Sequence, residues 1–123
     1  DFTVSGDPRT YADLVTPEGL RFIAKYADGI GVSKSLVIPR DANGHLGAPT
    51  RVVQDARKAG LVVHVWTLRA ENNFLPMNLR LGSDPSSLGD MPAEARALLE
   101  AGVDGYFTDH PNLGVIARDG FVK

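Results

Sequence analysis

Apolar positions along the chain follow a helical period in some stretches and an extended one in others. The stretch "TPEGLRFIAKYA" places Thr16 before a proline and an acid, which is typical of a helix start. Leu20, Ile23, Ala24 and Ala27 then share one face at helical spacing. The apolar run after this helix predicts a first strand over residues 28–32, and a loop of turn-forming residues follows it.

The same order of helix and strand repeats twice more. "TRVVQDARKAG" predicts a second helix capped by Thr50 and ended by Gly60, and "LVVHVWTLR" predicts the second strand. After a long polar loop over 71–90, "MPAEARALLEAG" predicts a third helix that has Asp90 or Met91 near its cap and ends at Gly102. "VDGYFTD" predicts the third strand, and "HPNLGVIARDG" predicts a closing helix.

Alternating helices and strands are typical of right-handed crossover units around a parallel sheet. We therefore predict an α/β fold whose three strands are parallel, adjacent and in chain order. Three strands are too few to close a barrel, which needs about eight. Residues 1–123 are expected to form one partial domain, part of a larger sheet or barrel.

The second strand predicts two faces of different character. Period-two alternation puts Val63 and Val65 on the face toward the helices. Val62, His64 and Trp66 fall on the other face, which we assign to the inside of the sheet or barrel. Because His64 stands between valines, we expect it to be buried.

Composition narrows the function without naming one. The chain has 123 residues, 43% of them hydrophobic, a formal net charge of -2 and no cysteine. Disulfides, thiolate zinc sites and a cysteine nucleophile are therefore excluded. The balanced charge argues against a nucleic-acid partner, and no apolar run approaches the ~20 residues of a membrane span.

Polar side chains gather where the predicted strands end. Lys34 follows the first strand, Trp66 and Arg69 come at the end of the second, and Asp109 at the end of the third. In parallel α/β folds the ligand site lies beyond the carboxyl ends of the strands. The sequence thus predicts a binding site at this edge of the sheet.

At this point three stretches carry a family resemblance: "YADLVTPEGLRFIAKYADGIGVSKSLVI", "VVHVWTLRAENNFLP" and "AGVDGYFTDHP". In this order they resemble the C-terminal portion of glycerophosphodiester phosphodiesterases, the bacterial periplasmic type in particular, from Tyr11 to Arg118. The resemblance implies a TIM barrel that hydrolyses glycerophosphodiesters to an alcohol and glycerol 3-phosphate with a divalent cation, calcium or magnesium. It also implies a periplasmic or secreted location, and the chain is expected to begin inside a longer protein.

The resemblance also gives residues at the carboxyl ends of the strands roles in substrate binding. It implies that Trp66 lines the substrate pocket. Lys34 and Arg69 have the chemistry to bind phosphate, one as a point charge and the other as a bidentate fork.

Structural roles are expected for other residues near these strand ends. We expect Glu71 and Asn72 to hold the long loop, and Asp109 to cap the last helix. Contact of Asp109 with a pocket residue, or a metal site formed by Asp109, His110 and Glu71, is the alternative.

The sequence lacks the motifs that carry the catalytic and metal-binding residues of the family. It has no His-Arg-Gly, no Glu-x-Asp, and its histidines His45, His64 and His110 stand in other contexts. We therefore predict no catalytic residue and no metal ligand in this chain, which is expected to be inactive alone. The missing half of the barrel is the expected partner. The alternative is a non-catalytic part-barrel that self-associates, or whose N-terminal segment and 71–90 loop cover its open face, and that binds a glycerol phosphate weakly.

Overall fold

The computed structural model describes residues 14–121, so residues 11–13 of the resembling stretch and the N-terminal segment lie outside the described part. Helices and strands alternate along it, as predicted. The helices are α1 (Pro17–Ile23), α2 (Val52–Lys58), α3 (Met91–Glu100) and α4 (Pro111–Asp119). The strands are β1 (Gly29–Ser33), β2 (Val62–Leu68) and β3 (Gly105–Thr108).

The three strands form one parallel sheet in the order β1-β2-β3, which confirms the predicted fold class. Gly29 lies opposite Val62, and Ser33 lies opposite Trp66. The pairing of β2 with β3 is irregular after Val65. All three strands therefore end at one edge, where the predicted polar residues meet.

The hydrophobic core lies between one face of the sheet and the helices. Val63 and Val65 are fully buried there, which confirms the predicted orientation of β2. Leu20 of α1, Ala56 of α2 and Leu98 of α3 pack into the same cluster. Burial of these apolar side chains fixes the helices against the sheet and so positions the loops above it.

Two of the predicted helix starts are confirmed. The Thr16 hydroxyl accepts a hydrogen bond from the Gly19 N–H at 3.2 Å at the start of α1. The Asp90 carboxylate accepts one from the Ala93 N–H, also at 3.2 Å, at the start of α3. Both satisfy N–H groups that the first helical turn leaves without a backbone acceptor.

The second helix begins one residue later than predicted. Arg51 occupies the N-cap position and makes no side-chain capping bond. The Thr50 hydroxyl accepts from the Val52 N–H at 3.4 Å, and it also donates to the Leu36 carbonyl at 2.6 Å, which joins the loop after β1 to α2. At the other ends, Gly60 (φ 83°) and Gly102 (φ 104°) adopt the left-handed conformation that follows α2 and α3.

The opposite face of the sheet is open among the described residues. Val62, Trp66 and Phe107 expose 48%, 47% and 58% of their surfaces there. The prediction that His64 is buried is wrong, because His64 shares this face and is exposed, with its ring 6.2 Å from that of Phe107. Alternation correctly gives the face of a side chain but does not say what covers that face.

Candidate functional site

A cavity of about 510 Å³ lies beyond the carboxyl ends of β1 and β2. It brings together the three site residues predicted from the sequence, Lys34, Trp66 and Arg69. Other parts of its wall come from the loop after β1, the loop after β2 and helix α3. These further lining residues include Ser33, Ser35, Arg40, Asn73, Phe74 and Glu94.

Trp66 forms the boundary between two different environments. It lines the cavity that contains Lys34 and Arg69, and also a neighbouring cavity of about 490 Å³. The second cavity is apolar, with Ile23 and Ile30 in its wall. An indole at such a boundary presents a flat apolar surface to a ligand whose charged group sits among the cations.

Lys34 is held by a buried carboxylate. Its Nζ donates to Glu94 Oε1 at 2.7 Å, and the Glu94 side chain is only 2% exposed. A carboxylate removed from water requires such partners, since an unpaired buried charge is costly. The pairing limits the rotamers of Lys34 and fixes its ammonium group at the wall of the cavity.

Arg69 is oriented from two sides. Its Nε donates to Asp109 Oδ2 at 2.9 Å, and its guanidinium carbon lies 4.8 Å above the centre of the Phe74 ring. The prediction that Asp109 caps the last helix is wrong, because His110 occupies the N-cap position and has no side-chain capping bond. The alternative, contact of Asp109 with a pocket residue, is the one observed.

Asn72 organises the long loop beside the cavity. Its side-chain N–H₂ group donates to the carbonyls of Leu81 (2.7 Å) and Asp84 (2.9 Å), and its Oδ1 accepts from the Leu81 N–H at 2.9 Å. Asn72 is 2% exposed. These bonds bear out its predicted structural role and hold the neighbouring Phe74 at the cavity wall.

The donor groups at this edge do not fit a divalent cation. Glu71 Oε1 lies 3.8 Å from His110 Nε2, and Glu71 Oε2 is buried with no hydrogen-bond partner within residues 14–121. Asp109 pairs with Arg69 instead of joining them. Within the part of the chain that the structure describes, no three His, Asp or Glu side chains come together as metal ligands.

The cavity wall is positively charged. Three cations line it, Lys34, Arg40 and Arg69, and Glu94 is the one carboxylate among its lining residues. Asp109, just outside the lining, pairs with Arg69, so these five side chains leave one positive charge in excess. Oriented cations around a concave site attract anions, and guanidinium groups match the geometry of phosphate oxygens. The arrangement can bind a phosphate group.

Sequence reasoning missed Arg40, Phe74 and Glu94. Phe74 lies within the stretch "ENNFLP", but no sequence pattern predicts the contact of its ring with the guanidinium group of Arg69. Glu94 falls on the helical face that also carries the buried Ala95 and Leu98. An acid at a core-facing position of a helix is the one available signal, because such an acid needs a cation nearby.

Comparisons with known proteins agree on one family. The sequence profile described as the glycerophosphoryl diester phosphodiesterase family matches residues 2–113. Glycerophosphodiester phosphodiesterase GDPD6 of Arabidopsis thaliana is 38% identical over 101 residues, which are 82% of this chain and 25% of that protein. Glycerophosphodiester phosphodiesterase GDPDL1 of the same plant is 34% identical over 116 residues, 92% of this chain and 14% of that protein.

The chain thus spans about a quarter or less of the length of these relatives. Across residues 14–121, no helix has the length and apolar character needed to cross a membrane.

Proposed function

This chain belongs to the glycerophosphoryl diester phosphodiesterase family, and from that premise we propose that it supplies the substrate-binding part of a phosphodiesterase barrel. Residues 1–123 act as one partial domain in this proposal. The substrate is a small glycerophosphodiester, and the products are an alcohol and glycerol 3-phosphate.

One observation carries the proposal: Trp66, Lys34 and Arg69 line the same cavity at the carboxyl edge of a parallel sheet. That edge is where parallel α/β folds bind their ligands. Lys34 and Arg69 are each oriented by a carboxylate, and the Nη atoms of Arg69 make no hydrogen bond to other described residues. They are therefore available to the two oxygens of a phosphate.

In hydrolysis, a water oxygen forms a bond to phosphorus while the bond from phosphorus to the alcohol oxygen breaks, and the alcohol leaves with a proton. Lys34 and Arg69 would hold the phosphate and stabilise the negative charge on its oxygens. Trp66 would pack against the glycerol or the alcohol group and exclude water from one side. No residue of this chain is assigned the transfer of the proton.

The general acid and base, together with the ligands of a calcium or magnesium ion, are proposed to lie outside this chain. Its sequence has neither His-Arg-Gly nor Glu-x-Asp. The cations at the cavity wall would repel a divalent ion. The periplasmic or secreted location and the bacterial subtype stay predictions, and the two relatives described above are plant proteins.

Trp66 is the only tryptophan of the chain and lines the cavity, so its fluorescence reports ligand binding directly. We expect titration of the 123-residue chain with glycerol 3-phosphate to change the emission of Trp66 and to saturate. Lys34→Gln and Arg69→Gln should each weaken binding by about tenfold, since each removes a charged hydrogen bond.

Arg96→Gln is the matched control. Arg96 is exposed on α3 and lies outside the cavity, so this variant makes the same change of net charge without touching the site. A wild-type chain that does not bind glycerol 3-phosphate, or Lys34 and Arg69 variants that bind like Arg96→Gln, would refute the proposal.

A second candidate function is favoured by a different observation. The open face of the sheet, opposite the hydrophobic core, exposes Val62, Trp66 and Phe107. Contiguous apolar side chains of this kind are typical of surfaces that bind another chain. In this reading the chain is a non-catalytic part-barrel that self-associates and binds a glycerol phosphate weakly. A reading frame that joins this sequence to an upstream His-Arg-Gly and Glu-x-Asp would favour the first candidate instead.

A further inference from the structure

Arg40 is a third cation at the cavity, and it lies in the loop after β1 rather than at a strand end. Its Nη2 donates to the Phe74 carbonyl at 2.6 Å and lies 3.4 Å from Glu94 Oε2. The side chain is 32% exposed. Its Nε and Nη1 make no hydrogen bond to any described residue, so they can still donate to a ligand.

Glu94 joins Arg40 to Lys34. One carboxylate oxygen, Oε1, accepts from Lys34, and the other, Oε2, faces Arg40. Because the Glu94 side chain is 2% exposed, its charge is kept out of water and both cations are drawn to it. A single buried carboxylate therefore sets the positions of two cations at the cavity wall.

Phe74 completes the connection to Arg69. Its carbonyl accepts from Arg40, and its ring lies under the guanidinium group of Arg69 at 4.8 Å. Lys34, Arg40 and Arg69 are thus linked through one carboxylate and one phenylalanine. Each cation uses part of its donor set for these contacts.

We propose that Arg40 is an anion-binding residue of this site, and that Glu94 is the positioning residue that holds Arg40 and Lys34 toward the ligand. The ligand is the phosphate group of a glycerol phosphate, so the inference rests on the proposed function. Arg40 donates one hydrogen bond to the phosphate, from Nε or from Nη1, while Nη2 stays on Glu94 and the Phe74 carbonyl.

The prediction for Arg40 is a loss of affinity. Arg40→Gln should weaken the binding of glycerol 3-phosphate by about tenfold, because it removes a charged hydrogen-bond donor from the phosphate. Arg40→Lys should recover part of this loss, since it restores the charge but not the planar guanidinium group that also reaches the Phe74 carbonyl. Arg96→Gln again serves as the control for net charge.

The prediction for Glu94 concerns the direction in which Glu94→Gln changes the affinity for phosphate. A carboxylate near an anion repels it, so if Glu94 acted only through its charge, Glu94→Gln would tighten phosphate binding. If Glu94 positions Lys34 and Arg40, Glu94→Gln should weaken binding by about threefold or more, although the site becomes more positive. Circular dichroism at the temperature of the titration checks that each variant is folded.

The outcomes separate this inference from the proposed function. Suppose that Lys34→Gln and Arg69→Gln lose affinity for glycerol 3-phosphate, while Arg40→Gln binds it like Arg96→Gln. The proposed function then stands, and the anion-binding role of Arg40 is refuted. Tighter binding by folded Glu94→Gln overturns the positioning role. A wild-type chain without affinity for glycerol 3-phosphate overturns both proposals together.

Discussion

Asn72 connects the turn after β2 with residues nine and twelve positions further along the chain. Its amide group bonds to the carbonyls of Leu81 and Asp84 and to the N–H of Leu81. Few other side chains can donate twice and accept once from one planar group. A single residue therefore gives the 71–90 loop a defined shape beside the cavity.

Replacing this side chain should loosen the loop and lower stability. We expect Asn72→Ala to reduce the free energy of unfolding by about 2–3 kcal/mol, because it removes the three hydrogen bonds of a buried side chain. Urea denaturation followed by circular dichroism measures the change. Asn73→Ala is the control, since Asn73 is the exposed neighbouring amide; equal effects of the two substitutions would contradict the role given to Asn72.

Tyr106 introduces a pH dependence at the junction of β3 and α4. Its hydroxyl donates to the Gly114 carbonyl. Burial raises the pKa of Tyr106 above its ordinary value; Arg118 works against this increase in pKa, and Asp119 adds to it. A raised pKa in the folded state means that the unfolded chain loses this proton first as the pH rises.

Stability from Tyr106 should therefore be complete below about pH 10, the pKa of an unfolded tyrosine, and should fall as the pH rises above it. Tyr106→Phe should cost about 1 kcal/mol at neutral pH, through the lost hydrogen bond. Above pH 10, the variant should lose less stability than the wild type. Urea denaturation over this pH range gives the slope of the free energy of unfolding against pH for the wild type and for Tyr106→Phe. Equal slopes for the two proteins would rule out the effect.

The site residues that sequence could predict are those next to a strand end. Trp66 and Arg69 follow directly from the pattern of β2, because the end of a parallel strand marks the ligand edge. Glu94 and Arg40 are 54 positions apart, and Lys34 and Glu94 are 60 apart. Only the fold brings such residues together, so neither pair could be read from the sequence.

At the scale of the elements, β2 and β3 are joined at their amino ends by one carboxylate. Asp104 Oδ2 accepts from the Val63 N–H at 2.8 Å, while the Asp104 N–H donates to the Val63 carbonyl. Arg57 donates to the Gly102 carbonyl at 2.7 Å and lies 3.7 Å from Asp104. The edge opposite the cavity is thus fixed by hydrogen bonds and serves stability.

We expect Asp104→Ala to lower the free energy of unfolding by about 1–2 kcal/mol, since the Val63 N–H loses its acceptor. Asp104→Asn keeps an acceptor oxygen, and the exposed pair with Arg57 contributes only about 0–1 kcal/mol, so this variant should lose much less. Chemical denaturation compares the two. If Asp104→Asn lowers the free energy of unfolding as much as Asp104→Ala does, the charge of Asp104 rather than its hydrogen bond stabilises the fold.

The order and type of the elements were predictable, and their ends were less so. The helical pattern suggested that α1 continues to Ala27, but the helix ends at Ile23 and a turn follows. Periodicity indicates which residues face the core and does not specify where the last backbone hydrogen bond forms. The Thr50 hydroxyl serves both a loop carbonyl and the Val52 N–H of α2, so one side chain combines a tertiary contact with a local one.

At the scale of the whole molecule, the proposed function gives this chain the binding edge and assigns it none of the groups that perform hydrolysis. We expect the purified chain to show no turnover of glycerophosphocholine with calcium or magnesium, because general acid–base groups and a bound metal supply most of the rate enhancement. Release of glycerol 3-phosphate, followed by a coupled dehydrogenase assay, measures this. Turnover near that of an intact relative would show that the chain contains catalytic groups of its own.

The open face of the sheet governs how the whole chain behaves in solution. Val62 and Phe107 expose about half of their surfaces or more, and the 71–90 loop does not cover them. β1 and β3 are the two edges of the sheet, and each has one side without a strand among the described residues. Apolar faces and free strand edges both favour association with another chain.

We therefore expect the chain to associate with itself through this face, and the weight-average mass in sedimentation velocity to rise between micromolar and millimolar concentration. Val62→Glu and Phe107→Glu place charges on the open face without disturbing the buried core, so both should remain folded and shift toward monomer. Ile116→Glu, at an exposed apolar position of α4, is the control and should associate like the wild type. A wild-type chain that stays monomeric at every concentration and binds no dye for apolar surfaces would instead point to cover of this face by another part of the chain.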